Sequence, residues 1–412
     1  MQSNIKSAPI SSNIFILLQI PAYRELLLSN ALWWQTLAMW TTTAGWLMLD
    51  LTDLAWMVTL LSFWRRTAQL SLGFFAGPVG DRLGRRRAIL MTQTLNLVVC
   101  TLLLLLFWGG RLTPWLLAGA AFLIGSAWTL DAPARTALTP DLVGAERITE
   151  AMILENFLQS LMSSMGPFVA GWLLALTGPI GCFVVLVGMT GANVLLLQRL
   201  VHHQVERTTQ IHSTSIWKAI GEGIEYVRSK PVILAVTLTS IVLNTLIFPS
   251  LSLLPVFARD VLAQGPVGLG LLTTGYSLGI FAGLYLVSRL RHRFAIGQLF
   301  MMGALVECVT LVIFAGSRTY LLSWLMLFGA GLGQASFNTL RSAILLSTAT
   351  DAMRGRAIST VGLTQGAGLP GELQSGFLAD TIGAPATVGL QAGIAAIGSA
   401  LVAWALPAVY RR

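Results

Sequence analysis

The sequence predicts an all-α integral membrane protein with twelve transmembrane helices in two six-helix bundles. Three observations lead to this fold class: few charges, a regular series of long apolar runs, and a weak internal repeat. Hydrophobic residues make up 55% of the 412 residues and charged residues only 10%, whereas a soluble domain carries about 25% charge. Lipid must therefore cover part of the apolar surface.

Apolar runs of about 20 residues, the length that crosses a bilayer as a helix, divide the chain into twelve predicted spans. They are 27–49, 56–78, 88–108, 113–133, 151–175, 179–198, 232–255, 268–288, 295–315, 320–342, 357–379 and 384–406. The longest hydrophilic stretch, 202–230, follows the sixth span, and isoleucines at helical spacing predict an amphipathic surface helix at 215–228. We predict an N-terminal bundle (1–200), a cytoplasmic linker (201–231) and a C-terminal bundle (232–412).

The internal repeat relates the fifth-span region to the eleventh at a constant offset of 205 positions. The matched pairs are Gly166 and Gly371, Gly171 and Gly376, Leu173 and Leu378, and Gly178 and Gly383. Parallel six-helix repeats around a midplane site are typical of transporters.

The basic residues predict the orientation. With a cytoplasmic N-terminus, only Arg111, Arg259 and Arg318 of the 26 lysines and arginines fall on the far side, while Arg65 and Arg66 fall inside the second span. The positive-inside rule then places both termini in the cytoplasm. The net charge of +9 comes from basic residues that set the orientation in the membrane and contact anionic lipid. We expect a monomer in a bacterial plasma membrane and no nucleic-acid partner.

The sequence contains no motif for an energy source such as ATP. A P-loop needs Gly-Lys-Ser or Gly-Lys-Thr, but the three lysines follow Ile5, Trp217 and Ser229. The four histidines lie in predicted cytoplasmic loops, and the spans show no metal-ligand set or nucleophile–base pair. We therefore expect neither an enzyme nor a cofactor or metal, and transport driven by an ion gradient or by the substrate's own gradient.

A dense charged loop joins the second and third spans and reads Gly77-Pro78-Val79-Gly80-Asp81-Arg82-Leu83-Gly84-Arg85-Arg86-Arg87. It resembles the signature loop of the major facilitator superfamily, with a valine where leucine is usual. The resemblance implies a cytoplasmic latch in which the aspartate sits against the start of the eleventh helix. The latch residues would be Gly77, Gly80, Asp81, Arg82, Gly84, Arg85, Arg86, Arg354 and Arg356.

Ionisable side chains inside spans are costly and mark functional sites. The second span holds Arg65 and Arg66, and the eleventh holds Glu372 at a similar depth. Arg66 lies on a polar stripe of its helix, whereas Arg65 lies about 100° away. In the superfamily's fold these two helices are neighbours, so we predict that Arg66, or Arg65, pairs with Glu372. The pair is either a gating or coupling contact or a static contact between the halves.

Three further acids have other predicted roles. Glu307 in the ninth span has no evident partner, and a hydrogen-bonded structural acid is favoured over a proton carrier. Glu155 and Gln159 share a polar face of the fifth helix. Asp131 and Arg135, at i and i+4, predict a local ion pair.

The run Gly166-Pro167-Phe168-Val169-Ala170-Gly171 resembles the G-P-x-x-G-G antiporter motif of drug exporters, with alanine in place of one glycine. The resemblance implies a hinge at Gly166, Pro167 and Gly171 and a role in export. The arginine motif of the fourth helix of drug antiporters is absent, because 116–128 carries no charge.

Further segments narrow the resemblance to one branch of exporters. Pro21-Ala22-Tyr23-Arg24, the stretch 133–143, and Ala352-Met353-Arg354-Gly355-Arg356 are similar to a branch that includes enterobactin exporters and macrolide-efflux proteins. This implies a cavity between the first, fourth, seventh and tenth helices. The candidate lining residues are Trp34, Gln35, Thr42, Trp128, Asn244, Gln334 and Asn338.

The implied activity is export of a small amphiphilic metabolite, siderophore-like, or of a drug, in exchange for protons. Two alternatives stay open. Arg65 and Arg66 could hold a carboxylate in an importer of organic anions. A protein of this fold could also sense or scaffold without turnover.

Overall fold

The structure, a computed structural model, describes residues 17–202, 227, 230–348 and 364–411. Within these ranges the chain is helical with short turns, and the predicted surface helix at 215–228 lies outside them. Eleven helices have 15 residues or more. They are α1 (Pro21–Thr52), α2 (Ala55–Leu83), α3 (Arg85–Trp108), α4 (Pro114–Val143), α5 (Ile148–His202), α6 (Pro231–Leu251), α7 (Pro266–Leu290), α8 (Ile296–Gly316), α9 (Tyr320–Thr348), α10 (Gly368–Ile382) and α11 (Ala384–Ala405).

The helix starts follow from local sequence. Proline suits the first turn, where its missing N–H would have no helical partner, and it opens α1, α4, α6 and α7. Thr113 also caps α4, because its hydroxyl oxygen accepts a hydrogen bond from the Leu116 N–H.

The 55 residues of α5 contain two predicted spans, 151–175 and 179–198. Gly178 lies between them at φ 67° and ψ −169° and interrupts the helical conformation, which glycine can do because it has no Cβ. The eleven helices therefore do not match the twelve predicted spans one to one. Eight of the helices in the described ranges are long and apolar enough to cross a membrane, and α1, α2 and α10 fall outside that group.

The helices pack as two sets. The first five contact mainly one another, and so do the remaining six. The main contacts between the sets are α2 on α10 and α5 on α7. Movement of one set against the other must therefore change the contacts within these two helix pairs.

The outer surface is apolar and the interior carries the charge. Trp404, Trp108 and Leu176 expose 82%, 75% and 73% of their surface, whereas Asp131, Glu307 and Glu372 are fully buried. Exposed apolar side chains of this size suit contact with lipid. The chain is a multi-pass membrane protein whose largely apolar interior holds a few buried charges.

Candidate functional site

An ion pair joins the two helix sets where α2 packs on α10. Arg66 Nε lies 2.9 Å from Glu372 Oε1, which confirms the predicted pairing and selects Arg66 as the partner. Gly368, one turn before the glutamate, leaves room for the guanidinium, since a Cβ there would lie 3.0 Å from Arg66 Nη1. The role of the pair stays a prediction.

Two serines lie beside this carboxylate, one bonded to it and the other bonded to the first. The Ser252 hydroxyl lies 3.1 Å from Glu372 Oε2 and 3.0 Å from the Ser62 hydroxyl. The Glu372 side chain is 1% exposed and that of Arg66 18%. A buried charge left without its partner is strongly destabilising, so the pair opposes separation of α2 from α10.

Two neighbouring cavities lie between the helix sets, with volumes of about 240 Å³ and 230 Å³. The Arg66–Glu372 pair is in the wall of the larger one. Both are bounded by α1, α2 and α7, with α6 and α10 closing the larger and α5 the smaller. The residues common to both walls are Thr41, Thr42, Arg65 and Thr273.

Of the predicted lining residues, Trp34 and Thr42 lie on these walls. The prediction assigned the lining to the first, fourth, seventh and tenth spans, but α4 and α9 contribute no residue to these two cavities. Trp128 borders a separate void of about 20 Å³ beside Trp33 and Asn96. Gln35 is buried with its Oε1 unpaired, and Asn244 Nδ2 donates to the Ser240 carbonyl at 2.7 Å.

Glu307, for which the sequence shows no evident partner, is hydrogen-bonded in the structure, in agreement with the favoured interpretation; its role stays a prediction. The Tyr276 hydroxyl donates to Glu307 Oε1 at 3.4 Å. With the Gln334 amide turned so that its nitrogen faces the carboxylate, that nitrogen donates at 3.1 and 3.2 Å, and Asn338 Nδ2 donates to Gln334 at 3.0 Å. The sequence could not identify these partners because they lie on other helices, α7 and α9.

The Asp131–Arg135 ion pair is confirmed, at 3.1 Å between Nε and Oδ2. It belongs to a buried network that the sequence analysis missed. Gln93 Nε2 donates to Asp131 Oδ2 at 2.6 Å, and Arg135 Nη1 donates to Ser29 and Asn30 at 2.8 and 2.7 Å. The presence of polar residues inside apolar runs was the signal that could have indicated this network. The network ties together α1, α3 and α4 within one helix set.

Glu155 accepts a hydrogen bond from the Thr139 hydroxyl at 2.7 Å, and Gln159 is half-buried one turn further along α5. Neither lines the two cavities. Their predicted part in coupling stays a prediction.

The predicted hinge on α5 packs against α1 of its own helix set and against α7 of the other. A Cβ at Gly166 would lie 2.5 Å from the Ala38 Cβ on α1, and one at Gly171 would lie 2.6 Å from the Pro266 carbonyl oxygen on α7. Pro167 lines the smaller cavity. Small residues allow these helices to approach closely. The predicted hinge role of this segment stays a prediction.

The predicted latch is only partly within the described residues. Gly84 forms the turn between α2 and α3 at φ 79°, as glycine permits. Arg85 pairs with Asp141 at 2.6 Å, and Arg86 donates to the Leu200 carbonyl at 3.0 Å. The structure does not describe the surroundings of Gly77, Gly80, Asp81 and Arg82, nor any part of Arg354 and Arg356.

At the opposite end of α2, which we call the far end, two acids hold the helix sets together. The Asp380 carboxylate at the end of α10 accepts from the Ala55 and Trp56 N–H groups at 2.7 and 3.2 Å, and so caps α2. Arg259 pairs with Asp53 at 2.8 Å. The sequence analysis had counted Arg259 only for topology and had not singled out Asp380.

Within the described residues, no group of three or more histidine, cysteine, aspartate or glutamate side chains could hold a metal ion.

Solved structures share this fold. A POT family transporter in complex with a thioalcohol conjugated peptide aligns with a TM-score of 0.74 at 12% identity, over 94% of this chain and 96% of that one. The nucleoside transporter NupG aligns with a TM-score of 0.72 at 16% identity, over 97% and 100%. At these identities the likeness shows the fold alone. The sequence matches described next make the protein a transporter of the major facilitator type, as its signature loop had indicated.

Sequence comparison gives the family. The chain belongs to the transmembrane secretion effector family, whose profile matches residues 6–410. A relative named Staphyloferrin A transporter, from Staphylococcus aureus, is 23% identical over 342 residues, which cover 82% of this chain and 85% of the relative.

Proposed function

We propose that this protein is a proton-coupled secondary exporter that moves a small amphiphilic, siderophore-like molecule or a drug across a bacterial plasma membrane. The chain would cross the membrane twelve times with both termini in the cytoplasm. The observation that carries the proposal is the pair of cavities between two helix sets, with the Arg66–Glu372 ion pair in the wall. Rocking of the two sets would expose these cavities to each side in turn.

The cavity walls support an amphiphilic substrate. Trp34, Trp40 and Phe248 supply aromatic surface beside the arginines and threonine hydroxyls. Apolar walls with a few polar groups are typical of small-molecule sites. Support for a siderophore-like molecule comes from the relative named Staphyloferrin A transporter, and support for export from the description of the family as secretion effectors.

Glu372 is the acid best placed to couple protons to transport. Of the fully buried acids Asp131, Glu307 and Glu372, only Glu372 borders the larger cavity. A proton on its carboxylate would cancel the charge that holds Arg66, and would thereby weaken the contact between α2 and α10. In this scheme Asp380 and Arg259 close the far end, and Asp81 closes the cytoplasmic end in the opposite state.

The test is uptake into everted membrane vesicles, with staphyloferrin A and a macrolide as trial substrates and an imposed pH gradient. We expect accumulation of at least one of them that stops when the gradient is collapsed. Glu372→Gln should abolish gradient-driven accumulation, while Glu146→Gln, at an exposed position, should leave it intact. Failure of the wild-type protein to accumulate either compound would overturn the proposal.

A further inference from the structure

We propose that Arg65 anchors a carboxylate of the transported molecule, so that the cavities select hydroxy- or amido-carboxylates over neutral compounds of the same shape. This deepens the proposed function and rests on it. Two features of the cavity walls carry the inference: an unpaired cation, and hydroxyl oxygens whose protons are already used.

The two adjacent arginines have different surroundings. Arg66 is paired with Glu372, whereas Arg65 has neither a hydrogen bond nor an ion pair with any residue in the described ranges. The Glu372 carboxylate attracts both guanidinium groups but makes its short contact with Arg66, and its single negative charge balances only one of the two positive charges. One positive charge is therefore left over at the cavity wall.

Arg65 is held at the junction of the two cavities. Its stem passes α4 at Gly125, where a Cβ would lie 2.7 Å from the Arg65 carbonyl oxygen and 3.1 Å from its Cγ. The side chain is in the wall of both cavities. A charge in so apolar a setting is costly unless water or an anion accompanies it. An anionic ligand would offset that cost.

The neighbouring polar groups fit the same ligand. The hydroxyls of Thr41, Thr42 and Thr273 donate to carbonyls of their own helices at 2.9, 3.2 and 2.9 Å. Their oxygens are thus free only to accept, which suits a hydroxyl or amide N–H of the ligand.

The test compares three probes of nearly equal shape on the purified full chain: mandelate, phenylacetate, which lacks the hydroxyl, and methyl mandelate, which lacks the charge. Binding is measured by scintillation proximity with radiolabelled mandelate and competition by the others. We expect mandelate to bind more tightly than phenylacetate and methyl mandelate to compete weakly. Arg65→Gln should weaken mandelate binding by roughly tenfold or more, because a charge-assisted hydrogen bond is lost.

Two further variants keep the result interpretable. Arg65→Lys retains the charge but not the planar fork, and should bind mandelate with intermediate affinity. Arg111→Gln removes an exposed arginine outside the cavities and should bind as the wild type does. Unchanged mandelate binding by Arg65→Gln, equal binding of methyl mandelate, or no mandelate binding by the wild type would each overturn the inference. Vesicle accumulation of the macrolide, which carries no carboxylate, alongside such a result would leave the proposed function standing.

Discussion

The Arg66 guanidinium and the Glu372 carboxylate lie 2.9 Å apart although 306 positions separate them in the chain. They belong to different helix sets, and the contact lies in the wall of the larger cavity. Any motion that parts α2 from α10 must separate these charges or neutralise one of them. The pair is thus placed to sense both the conformation of the bundle and the occupancy of the cavity.

Exchanging the two charges distinguishes a static contact from a coupling group. Arg66→Glu or Glu372→Arg alone should lower the free energy of unfolding by about 3 kcal/mol, since like charges then face each other in a buried site. The double exchange should recover most of the stability in thermal unfolding. If Glu372 carries the proton, gradient-driven transport stays lost in the double variant; recovery of transport would show a purely structural pair.

Removing the charge of Asp131 should be far more costly than removing that of Asp141. Asp131 and Arg135 are buried within a hydrogen-bonded network, so Asp131→Asn leaves a buried arginine unpaired and should cost about 3 kcal/mol. The Arg85–Asp141 pair is 27% and 33% exposed, and Asp141→Asn should cost less than about 1 kcal/mol. Similar unfolding temperatures for the two variants would contradict this difference.

Loss of the Asp380 carboxylate should loosen the far end. Asp380→Ala removes the cap from α2, which costs about 1 kcal/mol and favours states in which the helix sets separate there. A cysteine at Thr42, on the cavity wall, should then react several-fold faster with a membrane-impermeant maleimide added at that side. Glu146→Ala in the same Thr42→Cys background is the control, and equal rates would argue against closure by Asp380.

The contact between α5 and α7 should not tolerate a larger side chain. Gly171→Leu places atoms where the Pro266 carbonyl and Gly270 already lie, so it should destabilise the protein by about 1–3 kcal/mol and impair transport. Gly188→Leu is the matched control, because no atom lies within 4 Å of a Cβ there. Equal thermal stability of the two variants would show that close packing at Gly171 is unimportant.

Several parts of the site could be predicted from sequence because they depend on local spacing. The polar stripe on α2 and the similar depth of the charges in two spans identified Arg66 and Glu372 as a pair, and the i, i+4 spacing identified Asp131 and Arg135. Partners on other helices could not be predicted from the sequence. Tyr276 and Gln334 could not be assigned to Glu307, nor Gln93 to Asp131, because nothing in the sequence states which faces of two helices meet.

The sequence by itself determined that the chain is a multi-pass helical membrane protein and which of its charges lie inside the apolar spans, because hydropathy and helical period act over about 20 residues. Only the tertiary structure decided that Glu372 pairs with Arg66 and leaves Arg65 unpaired at the cavity wall. It also decided that α2, α5 and α10 line the cavities while α4 and α9 do not. The physical reason is that these outcomes depend on the rotation and close approach of whole helices, which are decided by packing across the assembled bundle.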